Sequence, residues 1–245
     1  MSINESNSSG SDERRRFLQL LASGALVIAA GSVSDKTAGA VVPATEADAG
    51  NEEVSPAEDL MREHGVLKRV LLIYGEYIRR LSVGADLPPA ALVDSANIIR
   101  SFIEDYHEKL EENFLFPRFR KANKLVELVD VLELQHKAGR RLTDTTLMLA
   151  KAGRLKDAQD RQKLTESLSL FIRMYSPHEA REDTVLFPAF RTIVSPNEYD
   201  ALGEEFESKE HELFGEDGFE IMVDRVAAIE RTLGIYDLSQ FTPHT

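Results

Sequence analysis

The sequence predicts an all-α protein, an antiparallel up-and-down four-helix bundle carrying a C-terminal two-helix extension. Three observations predict it. Apolar residues recur at spacings of three and four along four long segments. No run alternates convincingly with the period of a strand. Capping and breaking residues separate the segments by short connections, the pattern of antiparallel neighbours. With 245 residues, 42% of them apolar, the chain can bury one sizeable core.

The first forty residues read as an address rather than as fold. Arg14-Arg15-Arg16-Phe17-Leu18 precedes an apolar run from Leu20 to Gly31 that is too short to span a bilayer comfortably, and Ala38-Gly39-Ala40 supplies small residues for cleavage. The arginine pair followed by Phe-Leu looks like a twin-arginine export signal. Residues 1–40 are therefore expected to engage the twin-arginine export machinery and to direct a bacterial protein to the periplasm or another extracytoplasmic space. Contact with a membrane is expected only through this segment, if it is uncleaved. Residues 41–54, rich in Ala, Glu and Asp, form a linker.

The bundle is expected over 55–191. Its first helix starts at the capping box Ser55-Pro56-Ala57-Glu58 and carries Leu60, His64, Leu67, Leu71, Tyr74, Ile78 and Leu81 as its inward seam, with a break from Gly84 to Pro89. The second runs from about Pro89 to Phe116, with Pro117 as its stop. The third spans about Lys121 to Ala152, placing Leu125, Val129, Leu132 and His136 in register. The fourth begins near Lys156 and ends at Pro188; Pro177 inside it predicts a distortion just before His178. The extension, 192–245, opens with a second capping box, Ser195-Pro196-Asn197-Glu198. A sixth helix is expected from about Asp217 to Gly234, and then an extended tail packed on the outside.

Composition narrows the chemistry. A formal charge of −13 without a basic face argues against nucleic acid and anionic membrane as partners. With no cysteine, disulfides, thiolate catalysis and thiolate-bound metals are excluded, so any metal is held by imidazole and carboxylate. Six histidines exist, and their placement is not random.

The chain repeats itself. The run from Tyr106 to Arg120, containing His107-Glu108-x-x-Glu111 and Leu115-Phe116-Pro117, returns from Pro177 to Arg191 as His178-Glu179-x-x-Glu182 and Leu186-Phe187-Pro188. His64 likewise returns as His136. Residues four apart share a helix face, so His107 with Glu111 and His178 with Glu182 point together into the bundle. Four imidazoles and two carboxylates in one apolar core are costly unless coordinated, and two divalent cations satisfy them together. A single core histidine is more often just hydrogen-bonded. It is the set that points to metal.

A lone His, then His-Glu-x-x-Glu, repeated once and followed each time by Leu-Phe-Pro, resembles the His-His-Glu cation-binding branch of the hemerythrin family. The resemblance spans roughly Leu60 to Arg191. It implies a left-handed four-helix bundle with a non-heme di-iron centre in which His64, His107, His136 and His178 are ligands and Glu111 and Glu182 are bridges. Two departures stand out. The oxygen carriers of the family have a further histidine four residues after the third-helix His, where this chain has Arg140. They also have a carboxylate five residues after the last His, here Asp183, which is the alternative to Glu182. The missing histidine leaves a position where O₂, peroxide or NO can bind or react. A ferritin-like Glu-x-x-His pattern occurs only at Glu104-His107, since position 175 is Tyr.

Other residues carry weaker expectations. Glu108 and Glu179 are either partners of the imidazole N–H groups or solvated charges. Tyr74, Tyr106 and Tyr175 fall near the site and either donate into it or simply pack. His211 is either an added ligand or a surface histidine, and His244 lies in the tail. The expected cofactor is two iron ions, although these N/O donors suit Mn or Zn as well. The function expected is an exported binder or sensor of O₂ or a related small molecule. The alternatives are a di-iron redox enzyme acting on peroxide or NO, and an iron- or metal-sequestering protein. The sequence does not decide whether the protein is an enzyme.

Overall fold

The computed structural model describes residues 55–151 and 153–243, and these are helical, with no strand among them. The export-signal and linker readings, and His244, lie outside the described residues. No helix among the described residues is long and apolar enough to cross a membrane.

Among the described residues, six helical rods build the structure. Helix α1 is Pro56–Val83, entered where Ser55 Oγ accepts from the Glu58 N–H at 3.4 Å and left through Gly84 in the left-handed region. Rod α2 covers 89–121 without interruption, but not as one regular helix. An α-helical start, Pro89–Ile98, passes into π-helix at Ile99–His107; a second π segment, Glu111–Leu115, then leads into α-helix at Phe116–Lys121. Helix α3 is Val126–Leu149. Rod α4 covers 158–190: α-helix Ala158–Arg181, a π segment at Glu182–Leu186, and a last turn at Phe187–Phe190. Helices α5, Pro196–Phe214, and α6, Gly218–Leu233, follow.

Helix α1 packs against α2 and α4, and α3 packs against the same two, so the first four rods enclose a shared core; α5 and α6 lie against α1, and α6 also against α2. Leu60, Leu67, Phe102, Phe171 and Phe190 are among the buried residues of that core. Each such side chain contributes about 1.5–3 kcal/mol by leaving water. Apolar burial therefore sets the inward face of every rod, and whatever polar groups share that face are held at fixed depth.

Several boundaries differ from the sequence expectation. Pro117 and Pro188 do not end their helices. Each follows a π segment in which the backbone bond reaches five residues back, as from the Phe116 N–H to the Glu111 carbonyl and from the Phe187 N–H to the Glu182 carbonyl. The wider turn relieves the clash a proline ring makes with the carbonyl four residues earlier, so the rod continues. At Pro177 the helix remains α-helical, and the distortion appears downstream at Glu182 instead. Helix α3 starts at Val126 rather than Lys121, because Asn123 and Leu125 adopt positive φ (50° and 51°) and turn the chain. Leu125 thus precedes the helix it was expected to join, although it still packs on the core. Rod α4 begins at Ala158, where Asp157 caps it by accepting from the Gln159 and Asp160 N–H groups at 2.8 and 3.0 Å. The tail is not simply extended. It makes a short 3-10 turn at Leu238–Phe241, with Leu238 and Phe241 exposed. Both remaining caps match expectation: Ser195 accepts from the Glu198 N–H at 3.3 Å, and Gly234 closes α6 with a left-handed turn.

Candidate metal centre

The four rods bring His64, His107, Glu111, His136, His178 and Glu182 together in the core, all of them buried. Donor atoms of His64, His107 and Glu111 lie within 4.8 Å of one another, and so do those of Glu111, His136, His178 and Glu182. The two groups share Glu111. The His64 and His107 rings stand 4.7 Å apart, and the His136 and His178 rings 5.1 Å apart. Between the pairs stand the carboxylates. Glu182 oxygens lie 3.3 Å from His64 Nε2 and 3.1 Å from His178 Nε2, while a Glu111 oxygen lies 3.9 Å from His107 Nε2 and 3.4 Å from His136 Nε2. Each glutamate therefore faces one histidine from each half of the repeat.

The outward nitrogens are all engaged. Nδ1 of His64 lies 2.7 Å from Asp183, that of His107 2.6 Å from Glu63, that of His136 3.2 Å from Glu112 and that of His178 2.8 Å from Gln135. Carboxylate and amide oxygens accept hydrogen bonds, so each Nδ1 carries a hydrogen and each Nε2 faces inward. Four imidazoles held in one direction form a preorganised donor set.

The repeat governs this outer layer too. Glu63 and Gln135 each precede the lone histidine of their half, and each holds the motif histidine of that same half. Glu112 and Asp183 each follow the motif glutamate, and each holds the lone histidine of the opposite half. Phe116 and Phe187 explain the recurring Leu-Phe-Pro: Phe116 stacks on His136 and Phe187 on His64, both at 5.5 Å between centroids. Sequence reasoning missed Glu63, Glu112 and Gln135. Their matching offsets in the two repeats were the signal.

The residues fit divalent metal. Both carboxylate oxygens of Glu111, both of Glu182, and Nε2 of His136 are buried without a hydrogen-bond partner in the protein. Such atoms cost free energy unless something polar meets them. Electrostatics separates the two glutamates: burial, with Glu182 beside it, drives Glu111 well above the usual carboxylate range. Burial alone would do the same to Glu182, but His178 and His64 hold it well below. Burial likewise opposes a charge on His64, yet its hydrogen bonds to Asp183 and Glu182 carry it to about 9. His107 is pushed well below its ordinary value by burial and by His64. Glu111 is thus driven toward its neutral carboxyl form and His107 is kept neutral; a bound cation would favour the Glu111 carboxylate and could take the lone pair of the neutral imidazole.

Around this core Glu108 and Glu179 play unequal parts. Glu108 is buried, accepts from the Tyr175 hydroxyl at 2.6 Å and from Arg140 at 2.7 Å, and is raised by burial to about 8. Arg140 also reaches Glu112 at 2.7 Å, so the residue in the place of the carriers' extra histidine braces the outer layer. Tyr175 crosses α3 at Gly139, where any Cβ would strike its ring and hydroxyl. Glu179 lies 3.4 Å from the half-exposed Lys68. Tyr74 packs edge-on against Phe171. His211 is exposed on α5.

Comparison with known proteins agrees with this geometry. The chain is 51% identical over 232 residues to uncharacterized proteins of Mycobacterium bovis and Mycobacterium tuberculosis, covering 94% of this chain and 91% of each relative. No solved structure matches. Residues 55–189, which include every histidine and glutamate of the cluster, match the model of the hemerythrin HHE cation-binding domain. The buried His–Glu cluster, a candidate metal site, lies inside that cation-binding domain, and the chain belongs to the hemerythrin HHE cation-binding family.

Proposed function

We propose that the protein is an exported, non-heme di-iron protein that binds or senses O₂ or a related small molecule such as NO or peroxide. The observation that carries this reading is the pair of donor groups sharing Glu111, with five orphaned buried donor atoms turned into the space between them. His64 and His107 would hold one iron, His136 and His178 the other, and Glu111 and Glu182 would bridge. The same reading takes the four core rods as an antiparallel up-and-down bundle. Its export rests on the Arg14-Arg15-Arg16-Phe17-Leu18 segment and its apolar follower.

Bound iron would supply a redox-active Lewis acid with room for an exogenous ligand. The protein's residues do the rest. Glu63, Asp183, Glu112 and Gln135 keep every imidazole in one tautomer, raising its basicity and fixing its direction. Phe116 and Phe187 cover the lone histidines and exclude water. The cluster is buried, which favours a small ligand over a bulky one. The second reading is a redox enzyme acting on peroxide or NO; Tyr175, hydrogen-bonded to Glu108 and 5.3 Å from the His178 ring, places beside the site a phenol that burial and Glu108 keep protonated.

The test is metal analysis of the full-length protein expressed with its own N-terminus, together with absorption spectra on reduction and re-exposure to air. The expected result is two irons per chain and a reversible spectral change. Turnover with a reductant would favour the enzyme. Absence of stoichiometric iron after anaerobic reconstitution would overturn both readings. His107→Ala is expected to lower the iron content; full retention would remove the ligand assignment.

A further inference from the structure

Helices α3 and α4 lie side by side and run in opposite directions: His136 stands beside His178, Gly139 beside Tyr175 and Thr146 beside Ser167. Stepping on from His136 and back from His178 by the same number of residues reaches Arg141 and Arg173, which therefore stand level across the outer seam of the two helices. There the surface is hollowed into a groove of about 500 Å³. Leu142, Leu170 and Met174 give it apolar walls, with Leu170 left 47% exposed. No acid lines it among the described residues, in a chain whose acids outnumber its lysines and arginines by 42 to 29. The polar groups of the groove are unspent donors. Arg141 and Arg173 are exposed, and their guanidiniums make no ion pair or hydrogen bond with the described residues, whereas Arg100, Arg118, Arg120 and Arg140 all reach carboxylates. Gln135 also lines the groove: its Oε1 accepts from His178 Nδ1, and its amide N–H groups have no acceptor among the described residues.

We infer that this groove binds an amphiphilic organic carboxylate, its charged end between Arg141 and Arg173 and its hydrocarbon body along Leu142, Leu170 and Met174. Charge complementarity sets the class. Guanidinium forks match a carboxylate in shape as well as in charge, and two of them stand here without a partner. A cation meets only donors and like charge in the groove. An uncharged hydrocarbon leaves both arginines unengaged, and a bare inorganic anion leaves the apolar walls in water. The volume is that of a small-molecule site. Gln135 ties the groove to the core, since the amide that orients His178 borders it; the occupant lies against the outer layer of the second ligand pair. Only that link rests on the metal-centre reading above.

The test is calorimetric titration of sodium octanoate into the iron-loaded, full-length protein, with 1-octanol and octylammonium as matched probes and iron measured afterwards. One octanoate per chain is expected to bind with a dissociation constant at or below about 1 mM, and each matched probe at least about tenfold more weakly. Arg141→Gln and Arg173→Gln should each weaken octanoate by about fivefold or more, and Leu170→Asn by a similar factor, with iron content unchanged. All three side chains are exposed, so the variants probe the groove and not the fold. Absence of octanoate binding overturns the inference, as does octylammonium binding equally well or full affinity in both arginine variants. Absent octanoate binding with a change of oligomeric state in those variants would overturn it in favour of a second copy of the chain on this face. Octanoate bound as expected by a protein that holds no iron would leave the groove standing and remove the di-iron reading.

Discussion

The two halves of the repeat each place three donors alike and differ in what stands behind them. In the first half the motif histidine, His107, is backed by a carboxylate, Glu63; in the second, His178 is backed by the neutral amide of Gln135. The residue after the motif histidine differs more. Glu108 is tied to Tyr175 and Arg140 deep in the core, whereas Glu179 reaches only outward to Lys68. Duplicated sequence therefore fixes where the His and Glu donors stand, and the unduplicated neighbours set the surroundings of each. A carboxylate-backed imidazole is the stronger donor, so the His64–His107 position is expected to hold its ion more tightly than its counterpart.

The comparison can be broken outright at the bridges. Glu182→Ala removes the carboxylate facing one histidine of each pair, and both metals are expected to be lost or severely weakened in metal analysis; full retention would show that Asp183 bridges instead. It can be sharpened one half at a time. Gln135→Glu should tighten the second position by up to about tenfold and bring the two binding steps together in a metal titration, whereas Glu63→Gln should weaken the first by about 10–100-fold. A smaller effect is expected from Gly139→Ala. The new methyl displaces Tyr175 from Glu108, and overpacking of this kind costs about 1–3 kcal/mol, read as a lower midpoint in denaturant. The smallest belongs to Glu179→Gln: Glu179 is buried but pairs only with the exposed Lys68, and an amide that keeps one acceptor oxygen should change stability by about 1 kcal/mol or less. A large loss there would mean that the second half has a buried network like that of the first.

Much of this was legible in the sequence, because helical period and residue chemistry act locally. A spacing of four puts His107 above Glu111 whatever surrounds them, and Ser-Pro-x-Glu caps a helix from its own atoms. The outer partners Glu63, Glu112 and Gln135 depend on which helices become neighbours, which no single segment encodes. The π segments were hidden for a related reason. Pro117 and Pro188 read as stops when only local backbone chemistry is considered, but the packed bundle absorbs each of them by widening the turn before it. Leu125 shows the same override, where a bulky residue accepts positive φ and still packs on the core.

The crossing of partners between halves has a consequence for ancestry and for engineering. Each lone histidine is held by a carboxylate from the opposite half, and each of Glu111 and Glu182 faces a histidine from both. Neither half is therefore self-sufficient. A chain cut down to one half would recover both bridges and both tautomer locks only by pairing with a second copy about a two-fold axis, which makes the present fold equivalent to a homodimer whose subunits have been joined end to end and then allowed to diverge.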